Sequence, residues 1–205
     1  MKEITSTLLA EGSSDGVLIP LLQLLLQDVF DAPIAATAMA NLSISKSLSL
    51  TERITQALSL FPSEILFVHR DSDAENPHKR TLEILSAVKH ATPTKLVCVV
   101  PVRMTETWLL TQDVPIRRAA GNPHGTIALN LPPLKKLETL IDPKETLFQC
   151  LRIAKDGSSR QMHKFIPEQH RHKVGENTTD LSKLRLLPSF MHLENQLREY
   201  SNHRT

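Results

Sequence analysis

The sequence predicts an α/β fold: a mostly parallel sheet of about four strands flanked by helices, with a helical C-terminal extension. Three observations carry this reading. Short β-prone apolar runs at residues 4–10, 65–68 and 95–100 alternate with stretches of helical periodicity. The run Ile65-Leu66-Phe67-Val68 is apolar at consecutive positions, the mark of a strand buried on both faces, as parallel sheets require. Strands separated by helices are joined by right-handed crossovers, which again gives parallel neighbours.

Taken in order, the first run ends at Glu11-Gly12-Ser13-Ser14-Asp15, and Leu18, Leu21, Leu22, Leu25, Leu26 and Val29 then recur at helical spacing. This reads as strand, turn and helix, with Asp15 placed to cap the helix. Residues 43–49 alternate serine with apolar side chains such as Ile44 and Leu48, which predicts a half-exposed strand. Thr51 is expected to cap a second helix that runs to Leu60, with Ile54, Ala57 and Leu58 on one face. The buried run 65–68 stops at His69-Arg70-Asp71-Ser72-Asp73, and a third helix over 78–90 follows, carrying Leu82, Ile84, Leu85 and Val88. After the strand 95–100 a further helix starts near Met104. Residues 113–133 hold Pro115, Gly121, Pro123, Gly125, Pro132 and Pro133, and are expected to form a long surface excursion. Helical patterns return at 143–154 and 188–200, where Phe190, Leu193 and Leu197 are spaced to dock on the body. Residues 1–112 thus read as a core, and 113–205 as a loop-rich and helical extension packed on it.

Composition narrows the function classes. With 205 residues, 40% hydrophobic and 22% charged, the chain is neither disordered, collagenous nor membrane-like. The leucine-rich stretch 17–30 is interrupted by Pro20, Gln23, Gln27 and Asp28, so it predicts a buried helix; a membrane span takes about 18 apolar residues or more. No secretory leader is expected. Cys98 and Cys150 are too few for a disulfide framework, and Cys98 lies in an apolar run, so a reducing cytoplasm is expected. Charge divides unevenly: residues 1–102 carry 8 Lys/Arg against 11 Asp/Glu, and residues 103–205 carry 16 against 11. The stretch 152–173 concentrates Arg152, Lys155, Arg160, Lys164, Arg171 and Lys173, a density that suits phosphate binding as well as a solvated helix face. His163, His170 and His172 lie in the same stretch; without nearby cysteine they read as helix-surface histidines more readily than as a Zn²⁺ site. Trp108, flanked by Leu109 and Leu110, reads as core rather than as a base-stacking platform.

Ligands of open parallel sheets bind beyond the carboxyl ends of the strands. Glu11 follows the first strand, Asp71 and Asp73 follow the second buried run, and Glu106 comes shortly after the third. Carboxylates distant in sequence therefore converge at one edge. Clustered carboxylates repel, so they share protons or bind a cation, and oxygen-only ligation selects Mg²⁺ or Mn²⁺. The competing reading makes Asp71 or Asp73 a cap of the third helix.

The stretch Leu8-Leu9-Ala10-Glu11-Gly12-Ser13-Ser14-Asp15 resembles the first motif of the Toprim domain, the fold shared by topoisomerases, bacterial primases, certain RNA-processing nucleases and overcoming-lysogenization-defect (OLD) nucleases. Phe67-Val68-His69-Arg70-Asp71-Ser72-Asp73 is similar to its second motif, with His69 and Arg70 departing from the usual apolar strand end. The segment from Val100 to Leu110, with Glu106-Thr107-Trp108-Leu109-Leu110, and the segment from Leu184 to Phe190 resemble stretches of small stand-alone Toprim-like proteins of prokaryotes, often suspected of a role in phage defence.

The resemblance implies a Toprim-like (Rossmann-like) core and Mg²⁺-dependent phosphodiester cleavage of DNA or RNA. It makes Glu11 an acid/base or ligand, Asp71 and Asp73 metal ligands, and Glu106 a further acidic group. Lys144, Arg160, Lys164 and Arg185 are then candidates for holding substrate phosphates, and a separately encoded ATPase is a candidate partner. The chain carries no Gly-x-x-x-x-Gly-Lys-Ser/Thr loop of its own. A non-catalytic nucleic-acid or protein-binding module and a metal-dependent phosphatase are the alternatives; against the phosphatase, Ala74-Glu75 follow Asp73 where that fold carries Gly-Thr or a similar pair.

Overall fold

Leu8, Phe67 and Val97 stand side by side on neighbouring strands, and Leu9, Val68 and Cys98 stand next to them on the opposite face. That alternation follows from the two-residue period of a strand, and it makes both faces of the sheet core. The computed structural model describes residues 2–88, 92, 94–157 and 159–204, with the side chains of all but Leu42, Ser159, Gln161 and Met162. Four strands, β1 (Ser6–Leu9), β2 (Ala38–Met39), β3 (Ile65–His69) and β4 (Lys95–Val99), form an all-parallel sheet in the order β2-β1-β3-β4.

Helices cover both faces. On one side α2 (Leu50–Leu60) contributes Ile54 and Ala57, and α3 (Pro77–Ser86) contributes Ile84, to a cluster with Leu9, Leu66, Val68 and Cys98. The other side holds the larger cluster, to which α1 (Leu18–Val29) gives its leucines. The remaining helices are α4 (Glu106–Leu109), α5 (Asp113–Ala119), α6 (Leu134–Leu137), α7 (Pro143–Lys155), α8 (Ser159–Lys164), α9 (Pro167–Glu176) and α10 (Pro188–Asn202). Trp108 is a core residue, 1% exposed, donating its indole N–H to Ser189 Oγ at 2.9 Å and meeting Phe190 edge-on.

The edge strand β4 is closed by a side chain. Gln196 of α10 accepts the Cys98 N–H at 2.8 Å and donates to the Cys98 carbonyl at 3.0 Å, taking the place of a further strand. Near the start of β3, Arg204 and Tyr200 hydrogen-bond Glu64. No helix among the described residues is long and apolar enough to cross a membrane.

Several expectations are corrected. Residues 43–49 form turns, because Ser45 and Ser47 bond each other and Ser47 N–H donates to Ser45 Oγ; the short β2 lies beside β1 instead. Ser49, rather than Thr51, caps α2, in a reciprocal pairing with Glu52. The third helix spans Pro77–Ser86, and its expected end at His90 lies outside the described residues. The excursion 113–133 contains α5, which the proline count concealed.

Candidate functional site

The exits of β3 and β4 are fastened together at the carboxyl edge of the sheet. Arg70 N–H donates to Val99 O at 3.1 Å, Ser72 N–H to Pro101 O at 3.3 Å and Asp73 N–H to Arg103 O at 2.8 Å, while the buried Ser72 Oγ accepts Arg103 N–H at 2.8 Å. The fastening holds Asp73 at φ 52° and Arg103 at φ 65°, left-handed conformations that cost a non-glycine residue about 1–2 kcal/mol and concentrate at functional sites. Asn76 caps α3 by accepting the His78 N–H at 2.9 Å, with Pro77 in the first helical position. That leaves Asp71 and Asp73 without the capping role that competes with a chemical one.

Each predicted acidic residue lies at this edge, and each meets a basic group. Glu11, half-buried just past β1, is ion-paired with Arg70, which also reaches Glu83 at 3.6 Å. Asp71 Oδ1 lies 3.2 Å from His69 Nε2 and 3.5 Å from Thr105 Oγ1. Asp73 is exposed, its Oδ2 3.7 Å from Arg80. Glu106, the first residue of α4, is 3% exposed and stands 2.7 Å from Arg171 Nε, out of line for a hydrogen bond, so this is a charge contact. Burial raises the Glu106 carboxyl above the ordinary glutamate range and Asp71 adds to that, against the opposing charges of Arg171 and Lys144.

Behind Asp71 lies a polar network that sequence reasoning missed. His69 ends β3 fully buried, its Nε2 between Asp71 and Thr105 and its Nδ1 3.6 Å from Asp15 Oδ2, with no hydrogen-bond partner for Nδ1 among the described residues. Asp15 caps the turn Ser13–Val17 by accepting the Gly12 N–H at 2.8 Å and lies 3.8 Å from Arg171. Arg171 comes from α9, donates to Ser14 O at 2.8 Å, and joins Asp15 to Glu106. Asp15 had read only as a cap, His69 only as a departure from a motif, and Arg171 only as part of a basic stretch; nothing local in the sequence shows that Arg171 reaches Glu106.

Of the predicted phosphate-binding residues, Lys144 lies near enough to Glu106 to act on its charge. Arg160 and Lys164 are exposed on α8. Arg185 has its charge matched by Glu194 and Asp28, and so ties the chain before α10 to α1. His170 donates from Nδ1 to Ala119 O at 2.7 Å against Phe165, and His172 pairs with Glu176, as helix histidines do.

The donor set at the edge is chemically that of a hard divalent cation, all carboxylate oxygen: Glu11, Asp15, Asp71, Asp73 and Glu106. In this arrangement Arg70, Arg80 and Arg171 engage four of them, Glu11, Asp73, Glu106 and Asp15, and among the described residues no three His, Cys, Asp or Glu side chains form a group able to hold a metal ion. Carboxylates crowded at a sheet edge recruit whatever positive charge is nearest, and here that charge is guanidinium. Comparisons of the chain with protein-family models, with curated proteins and with solved structures find no match.

Proposed function

We propose that this protein is a Toprim-like, divalent-cation-dependent phosphodiesterase acting on nucleic acid. The observation that carries the reading is that Asp71 and Asp73 leave β3 beside Glu11 and Glu106 at one sheet edge while Asn76 performs the capping that would otherwise explain them. Asp71, Asp73 and Glu11 would hold Mg²⁺ or Mn²⁺. Such an ion, when bound, would supply charge stabilisation for cleavage of the phosphodiester. His69 and Thr105 orient Asp71 through Oδ1. Glu106 retains its proton to higher pH than an ordinary glutamate, which suits it to donate to a leaving oxygen, and Arg171 holds it in place. Lys144 and the exposed Arg160 and Lys164 attract the phosphate backbone without reading sequence. The unpaired, buried Cys98 and Cys150 go with a reducing cytoplasm.

The non-catalytic binding module is favoured by one specific observation, the pairing of Glu11, Asp73 and Glu106 with arginines. Cleavage assays on single- and double-stranded DNA and RNA with Mg²⁺ or Mn²⁺ separate the two. For the enzyme, Asp71→Asn and Asp73→Asn each lower cleavage by about 10²-fold or more, while nucleic-acid affinity is kept. Wild-type protein that binds nucleic acid and cuts none, with or without either ion, is the binding module.

A further inference from the structure

A pocket of about 300 Å³ lies next to the Asp71–Asp73 loop, on its α3 side, and the carboxylate cluster makes no use of it. Its apolar walls are Val102, Pro77 and Pro188. Val102 directly precedes Arg103, whose backbone holds the Asp71–Asp73 loop, and Pro77 opens α3 four residues after Asp73. Its polar lining is His78 and His192, both exposed, with Thr81, Ser189 and Glu138. Glu138 Oε1 accepts the Ser189 N–H at 3.0 Å, which fixes the carboxylate at the start of α10. A carboxylate so held keeps acceptor capacity beyond this one bond.

These features specify a ligand. Apolar walls suit the faces of a flat ring, an anchored carboxylate accepts from an exocyclic amino group, and two imidazoles add stacking surface. We infer that the pocket is a nucleobase subsite, selective for a base with an exocyclic amino group that donates to Glu138, beside the phosphate-handling edge. The inference rests on the reading of that edge as a nucleic-acid site, since a base seated here belongs to a nucleotide whose phosphate reaches toward Asp71 and Asp73.

The test is equilibrium binding of GMP, AMP, CMP and UMP to the full chain without divalent cation. Wild type is expected to bind the three amino-bearing nucleotides about tenfold more tightly than UMP, the discrimination one good carboxylate contact gives. Glu138→Gln, which still accepts the Ser189 N–H, removes that preference, and Val102→Trp fills the pocket and weakens all four nucleotides. Thermal melts of each variant establish that it is folded. Equal binding of all four, no binding, or binding indifferent to both Glu138→Gln and Val102→Trp overturns the inference. Selective, Glu138-dependent binding by a protein that cleaves nothing supports the pocket and counts against the phosphodiesterase alone.

Discussion

Arg70 is the residue on which the chemistry of the edge turns. It neutralises Glu11 and reaches Glu83, so it already matches the Glu11 charge that a bound cation would otherwise meet. Replacing it with methionine frees Glu11 to bind Mg²⁺ or Mn²⁺. We expect affinity to rise about tenfold, since a competing unit charge within about 4 Å is worth about 1 kcal/mol or more even in water. Titration calorimetry of Arg70→Met against wild type measures it, and unchanged or weaker binding shows that Arg70 does not compete with the ion. The pair is partly exposed, so stability should change by less than about 1 kcal/mol. Glu106 gives a prediction with a definite sign. Its carboxyl is raised in the fold, chiefly by burial, so its contribution to stability is fully present below the unfolded value of about 4.5 and is lost as pH rises through the higher folded value. Glu106→Gln lacks that titration and gains stability relative to wild type across the same window. Urea midpoints measured over pH check this. A difference that stays flat with pH means that Arg171 cancels the burial effect.

At the scale of the element, α9 carries Arg171 into the site only because it comes very close to the turn Ser13–Val17. A Cβ built on Gly175 would stand 2.5 Å from the Val17 carbonyl oxygen, a backbone atom that cannot swing aside. Gly175→Ala therefore forces α9 outward, at a cost of about 1–3 kcal/mol, and draws Arg171 away from Glu106. Urea denaturation gives the first effect, and a further upward shift of the Glu106 carboxyl, read by carboxyl-carbon NMR titration, gives the second. A stable variant with an unmoved Glu106 means that the approach relaxes elsewhere. Elements differed in how far they could be read from sequence. Ile65-Leu66-Phe67-Val68 was legible because burial on both faces leaves a continuous apolar run. Ala38–Met39 was not, because two residues carry no period, and the serine alternation at 43–49 imitated a strand that local hydroxyl bonds undo. In α5, Pro115 lies in the first turn, where backbone N–H groups lack helical partners, so proline is tolerated and its usual meaning reverses. The acidic edge was legible because each carboxylate directly follows a strand or the loop after it. Arg171 was not, since its partners Ser14 and Glu106 lie far away in the chain.

For the whole molecule, the division at residue 112 separates regions of different sequence character, yet the larger core crosses it. Trp108 and Leu110 from one side share a cluster with Leu147, Leu151, Val174, Phe190, Leu193 and Leu197 from the other. The edge strand β4 takes the hydrogen bonds of Gln196, and Glu64 before β3 those of Tyr200 and Arg204. A fragment of residues 1–112 would keep all four strands while exposing the face that α7, α9 and α10 cover, together with the open backbone of β4. An exposed edge strand beside uncovered apolar surface promotes association between chains. We expect this fragment to aggregate or to unfold without a cooperative transition, and a co-expressed fragment 113–205 to rescue it as a stable complex. Size-exclusion chromatography and thermal circular dichroism decide the point. A monomeric 1–112 that melts cooperatively would show that the core folds by itself and that α9 only brings Arg171 to a site already formed; if the fragment needs its partner, Arg171 and the sheet edge are assembled in the same folding event, because the helix that carries the arginine also closes the core beneath it.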